Sequence, residues 1–226
     1  MLKLVIGNRN YSSWSLRPWL ALKQSGLPFD EVPIRLNEAG SKAEILKYSP
    51  SGKVPCLIDG ETVVWDSLAI AEYLAETYPE AHLWPRGEYA RAVARSVCAE
   101  MHSGFAALRT HLPMNLQRDQ APDELPEAAR ADIQRVCALW QDCRDRFGAD
   151  GPFLFGHASI ADAFYAPVVM RFECYKLPIS ASSQSYMQKI LALASVQQWI
   201  AAAKQEQMFV PFDEPYRQHR LQYLQS

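Results

Sequence analysis

The chain has 226 residues, 49% of them hydrophobic and 21% charged, with a formal net charge of −2. That is enough for one large or two small domains, each burying a core, and a near-neutral balance without a long basic cluster excludes a nucleic-acid partner held by a positive field. No run of about 18 apolar residues is present, which excludes a membrane-spanning helix, and the five cysteines, without a Cys-x-x-Cys pair, fit a reducing cytosol better than a disulfide framework.

Residues 3–6 are predicted as a first strand. The opening apolar run is too short for a signal-peptide core and is followed by polar Asn8, Arg9 and Asn10. A helix is expected over 15–24, with Pro18 in its first turn and Gly26 as its stop. The segment 31–36 alternates, is broken by Pro33 and reads as an edge strand. A short helix over 42–48 comes next. Strands at 56–58 and 62–65 are joined by Asp59-Gly60, a hairpin signal. A helix over 67–77 closes at Tyr78-Pro79. The order βαβ, helix, hairpin, helix describes a small α/β layer with one mixed sheet, its strand order left open.

After Pro85-Arg86-Gly87 strand signals fade. Ala90, Val93, Ala94, Val97, Met101, Gly104, Phe105 and Leu108 recur at helical spacing and predict one long amphipathic helix. Residues 113–126 form a polar, proline-bearing loop, and 127–147 a second long helix. Ser159-Ile160-Ala161-Asp162 is a capping box that opens an apolar helix ending near Cys174. Two further helices are expected near 183–194 and 196–207. From Met208 onward no periodicity is visible. Cys98 and His102 lie four apart on a helix, but two ligands do not close a metal site, and no metal is expected.

Three short segments carry chemistry. Ser12, Ser13 and Ser15 cluster where the first strand hands over to a helix. They suit helix capping; the same geometry also suits a thiolate, which unpaired helix N–H groups, the helix dipole and a hydroxyl all stabilise. A free thiol has a pKa of about 8.5, and such surroundings lower it. Arg17 adds a positive charge nearby. Val54-Pro55 precedes a strand. It suits a plain turn, or a cis bond that turns the Val54 backbone outward to pair with a peptide. Asp66-Ser67 opens a helix. It suits a cap, or a pair in which Ser67 and free N–H groups hold a carboxylate and Asp66 an ammonium. A ligand with a thiol, a peptide unit, a carboxylate and an amine satisfies all three, and glutathione has these groups.

In this order the segments resemble those of cytosolic glutathione S-transferases. Residues 1–80 resemble the family's α/β thioredoxin-like, glutathione-binding domain, and 88–226 its all-α helical domain lining the electrophile site. Val54-Pro55 matches its cis-proline motif, Asp66-Ser67 its acid-or-amide plus Ser pair, and 159–162 its capping box. The run Ser12-Ser13-Trp14-Ser15-Leu16-Arg17 is similar to the Ser-Ser-Cys-Ser-x-Arg signature of the zeta class, which includes maleylacetoacetate isomerases. Trp14 stands where that class has an active-site Cys.

The resemblance implies a glutathione transferase that activates the glutathione thiol as a thiolate for attack on a small electrophile. The alternatives are a glutathione-dependent cis-trans isomerase of the maleylacetoacetate type, or a non-catalytic glutathione-binding or docking protein. It assigns catalysis to Ser12 or Ser13, with Arg17, and glutathione contacts to Ser12, Ser13, Trp14, Lys42, Lys53, Val54, Pro55, Asp66 and Ser67. The electrophile would sit between the domains, with Trp14 on one wall and Met101, His102, Phe105 and Arg109 along one side of the long helix on the other. For His102 a structural hydrogen bond, and for Arg109 a salt bridge within its domain, remain alternatives. Glutathione is expected as a co-substrate, with no permanently bound cofactor, in a cytoplasmic, homodimeric detoxification enzyme with no nucleic-acid or membrane partner.

Overall fold

The computed structural model describes residues 1–122 and 124–215. Its one sheet has the order β2-β1-β3-β4, with β1 at Leu2–Ile6, β2 at Phe29–Pro33, β3 at Cys56–Asp59 and β4 at Thr62–Trp65. β1 runs parallel to β2 and antiparallel to β3, so the sheet is mixed. The parallel pair needs a crossover, and helix α1 (Ser13–Ser25) supplies it. Gly26 ends α1 with φ 71°, the left-handed value that glycine adopts without steric cost.

β1 is apolar except at the exposed Lys3, because both of its faces are covered from Leu4 to Ile6. Leu2, Leu4 and Ile6 join the main core, while Val5 points the other way, to Ile34, Ile45 and Cys56. Helices α1 and α3 (Ser67–Thr77) cover the first face. Ile45 of α2 (Ser41–Leu46) covers the second. β2 lies at the edge as expected, shifted two or three residues earlier by its register of Leu2 with Phe29 through Ile6 with Pro33. Asp59 pairs with Thr62, so the hairpin loop is Gly60-Glu61, and Gly60 takes the positive φ (59°) that a two-residue turn requires.

The rest is helical: α4 (Glu88–Ser103), α5 (Ala106–His111), α6 (Glu127–Phe147), α7 (Ile160–Cys174), α8 (Ala181–Leu191) and α9 (Ala194–Lys204). The single long helix expected through residue 108 is two helices. Gly104 is extended at ψ −164°, Phe105 is left-handed at φ 55°, and a Cβ on Gly104 would stand 2.7 Å from the Glu100 carbonyl oxygen. The apolar rhythm crosses the break because Met101, Phe105 and Leu108 all enter one core. α8 and α9 begin two residues earlier than expected; Ser180 caps α8 by accepting from the Ser183 N–H at 3.3 Å. Two isolated bridges, Phe153 with Gly156 and Phe155 with His157, are the β pairing that the sequence did not suggest.

α7 is buried along almost its whole length and packs against both α1 and α4. Its capping box is formed as predicted: Asp162 Oδ2 accepts from the Ser159 N–H at 2.9 Å. Asp162 Oδ1 also accepts from the Leu154 N–H and the Tyr186 hydroxyl. One continuous apolar core therefore runs from the sheet through α1 and α7 to α6 and α9. All five cysteines carry free thiols. Among the described residues no helix is long and apolar enough to cross a membrane. The segment 206–214 packs back onto the loop after β1, and 216–226, part of the expected helical domain, lies outside the described residues.

Candidate functional site

The loop after β1 delivers Ser12, Ser13 and Ser15 to the start of α1. Ser12 is the N-cap: its Oγ accepts from the Ser15 N–H at 3.3 Å, and its hydroxyl donates to Ser15 Oγ at 2.8 Å. Ser15 Oγ in turn accepts from the Gly7 N–H at 3.0 Å. The Ser13 hydroxyl accepts from Arg171 Nη2 at 3.3 Å, and among the described residues nothing accepts its own proton. Both Ser12 and Ser13 are 7% exposed.

Beside this junction lies a pocket of about 530 Å³ lined by Trp14, Ser51, Lys53, Val54, Pro55, Trp65, Asp66 and Ser67. The Val54-Pro55 bond is cis, as the motif implied. Asp66, at φ 76°, is the N-cap of α3, and its Oδ1 accepts from the Leu68 N–H at 2.8 Å and the Ala69 N–H at 3.4 Å. Ser67 is buried, and its Oγ has no hydrogen-bond partner among the described residues. A buried hydroxyl without a partner costs about 1–3 kcal/mol. Lys42 is exposed on α2 and does not line the pocket.

Trp14, 37% exposed, forms the rim. The Arg17 guanidinium lies 4.5 Å from its ring centre, that of Arg109 5.3 Å, and the His102 ring meets it edge-on at 5.3 Å. Arg17 is only 1% exposed and also lies 4.9 Å over Phe164. Among the described residues its Nε and Nη1 have no hydrogen-bond partner, and no carboxylate pairs with it. Burial, then Arg171 and Arg109, lower its pKa to about 9, which still leaves it charged at neutral pH. Removing a cation from water without a counter-charge is costly.

Two of the residues expected on the electrophile wall lie in the core: Met101 is fully buried within α4, and Phe105 nearly so at the turn that follows it. His102 and Arg109 do reach Trp14. Arg109 donates to the His102 carbonyl at 3.4 Å and forms no ion pair within the described residues. Cys98, one turn before His102, is buried in the core.

A family model described as "Glutathione S-transferase, N-terminal domain" matches residues 11–77. A zeta-class glutathione S-transferase of Euphorbia esula is 32% identical over 161 residues, covering 70% of this chain and 71% of that one. A maleylacetoacetate isomerase of Rattus norvegicus is 34% identical over 177 residues, 76% of this chain and 78% of that one. The chain belongs to the glutathione S-transferase family. Its fold agrees with that of a glutathione transferase homologue from Burkholderia with bound glutathione: TM-score 0.67 at 23% identity, over 90% of this chain and 97% of that one. A glutathione transferase from Methylococcus capsulatus gives TM-score 0.65 at 25% identity, over 90% and 98%.

Within this glutathione S-transferase fold, sequence reasoning missed three contributors. Ser51 and Trp65 flank the recognised motifs and line the pocket without having been assigned to it. Arg171 reaches Ser13 from α7, 158 positions away. The signal that marks it is a lone arginine in the apolar run 160–172, because a charge placed there needs a buried partner.

Proposed function

We propose that the protein is a glutathione transferase. The observation that carries this reading is one pocket in which Lys53, the Val54 backbone, Asp66 and a Ser67 hydroxyl without a partner converge beside the start of α1. In this reading Asp66 takes the ammonium and Ser67 the α-carboxylate of the γ-glutamyl end. Val54 pairs with the cysteinyl backbone, and Lys53 adds a cation for the carboxylates. The thiol then lies toward α1. It loses its proton to solvent, and the Ser13 hydroxyl, the α1 N-terminus and the Arg17 charge stabilise the thiolate. The thiolate attacks an electrophile held against Trp14, and its electron pair forms the new carbon–sulfur bond as the leaving group departs.

Residues 1–80 would then act as the glutathione-binding domain and 88–226 as the domain lining the electrophile site. The enzyme would work as a cytoplasmic homodimer with glutathione as co-substrate and no resident cofactor. A second reading, glutathione-dependent cis-trans isomerisation of an anionic unsaturated acid, draws support from Arg17 and Arg109, which flank Trp14 without carboxylate partners. The test is retention on immobilised glutathione, followed by turnover of an aryl halide and, separately, of a maleyl-type acid. Failure in both binding and turnover would reject the proposal; turnover of the acid alone would select the isomerase.

A further inference from the structure

Asp66 has two carboxylate oxygens, and the fold already uses one. Oδ1 accepts from the Leu68 and Ala69 N–H groups that begin α3. The other, Oδ2, lies 3.2 Å from His102 Nε2, with the Asp66 side chain 45% exposed and that of His102 24%. An ammonium group arriving at Asp66 must therefore share Oδ2 with an imidazole from α4.

The surroundings of that imidazole decide its charge. Trp14 of α1 and Phe164 of α7 pack against it and are uncharged. The charged groups that face it are Asp66 at the start of α3, Arg17 on α1 and Arg109 on α5. Its Nδ1 is buried with no partner among the described residues. A neutral ring with its proton on Nε2 donates to Asp66 and leaves only a lone pair at Nδ1. Protonating Nδ1 would create a buried N–H with no acceptor, next to two guanidinium groups. Burial above all, and then the two arginines, hold His102 below the usual imidazole value, against the opposing pull of Asp66.

We infer that His102 is a positioning residue for the glutathione ammonium group: as a neutral imidazole it orients Asp66 Oδ2, and as an imidazolium it cancels the Asp66 charge and displaces the ammonium. This rests on the reading of the pocket given above. Arg17 and Arg109 then have a second effect beyond their own contacts, since they keep His102 uncharged and Asp66 available. By linkage, glutathione binding and His102 protonation oppose each other by the same factor.

The probe is S-methylglutathione, which has no thiol proton, titrated calorimetrically between about pH 5 and pH 7, where its own amine and carboxylates hold their charges. The unaltered protein should lose affinity as pH falls across that range, most steeply toward its acid end because His102 is held below the usual imidazole value. His102→Gln keeps an N–H donor but cannot titrate, so its affinity should stay level. His102→Lys should bind weakly throughout, and His102→Asn stands in should the glutamine variant fold poorly by circular dichroism. Equal pH slopes in the unaltered and glutamine proteins, with Asp66→Asn still weakening binding, would overturn the role of His102 alone. No binding by the unaltered protein, or undiminished binding by Asp66→Asn, would overturn the assignment of the pocket and the inference with it.

Discussion

Ser12 and Ser13 are adjacent and equally buried, but their hydroxyl protons differ. That of Ser12 is held by Ser15 Oγ at 2.8 Å, whereas among the described residues Ser13 only accepts, from Arg171. Ser13 is therefore the hydroxyl able to donate to a thiolate without breaking a bond the fold already makes. Ser13→Ala should raise the pKa of the bound glutathione thiol by about one unit, worth ~1.4 kcal/mol, and slow turnover near neutral pH about tenfold. Ser12→Ala should leave that titration in place and cost about 1 kcal/mol of stability through its lost N-cap. Thiolate absorbance against pH, paired with urea unfolding, separates the two, and a Ser13→Ala titration identical to that of the unaltered protein would refute the assignment. Ser67 is a simpler case. Its Oγ has no partner among the described residues and in the proposed pocket would gain a charge-assisted bond to the γ-glutamyl carboxylate, so Ser67→Ala should raise the glutathione Michaelis constant roughly tenfold, for ~1.5 kcal/mol, with a small change in kcat. An unchanged Michaelis constant would place the γ-glutamyl carboxylate elsewhere.

Elements whose ends are set locally were legible in the sequence, and elements set by contacts between distant segments were not. α3 and α6 have the predicted bounds, because Asp66-Ser67 and Pro126 punctuate their starts. α7 begins at its capping box for the same reason. β2 slid because its register belongs to β1, and strand order is a tertiary property. The break between α4 and α5 was hidden because the core accepts Met101, Phe105 and Leu108 from either side of the turn. The site divides in the same way. Val54, Asp66 and Ser67 carry local signatures, whereas the Arg171–Ser13 and His102–Asp66 contacts join residues 158 and 36 positions apart. Two substitutions probe these element ends. Asp162→Ala removes the acceptor of the Ser159 N–H, the Leu154 N–H and the Tyr186 hydroxyl, so it should destabilise the protein by about 3 kcal/mol or more. Gly104→Ala would place a methyl group 2.7 Å from the Glu100 oxygen, at a cost of about 1–3 kcal/mol. Chemical denaturation measures both; a midpoint shift near zero in either would show that the helix end tolerates the change.

At the scale of the molecule, the start of α1 is held from three directions: by β1 behind it, by α7 through Arg171, and by the segment after α9. Glu206 supplies much of the third. Its Oε1 accepts from the Arg9 N–H at 2.8 Å and its Oε2 from the Asn10 N–H at 3.0 Å, while its carbonyl accepts from Gln117 Nε2 at 2.7 Å. The Tyr11 hydroxyl lies 2.9 Å from the Met208 carbonyl and contacts the buried Glu214 carboxylate. Trp199 donates to the Arg9 carbonyl at 2.9 Å. The chain thus folds its last described segment over the loop that sets where Ser12 and Ser13 point, so the placing of these hydroxyls depends on residues nearly 200 positions away. Glu206→Ala leaves two backbone N–H groups without acceptors. It should cost about 2 kcal/mol, speed amide exchange at Arg9 and Asn10 as the loop opens locally, and lower kcat more than it raises the glutathione Michaelis constant, because the Asp66 end of the pocket does not touch Glu206. Glu206→Gln, which keeps one acceptor oxygen, should fall between. The measurement is amide exchange of the loop alongside steady-state kinetics. If Arg9 and Asn10 exchange as slowly in Glu206→Ala as in the unaltered protein while turnover still falls, the segment does not act by holding the loop, and its influence on the thiol must run through Tyr11 instead.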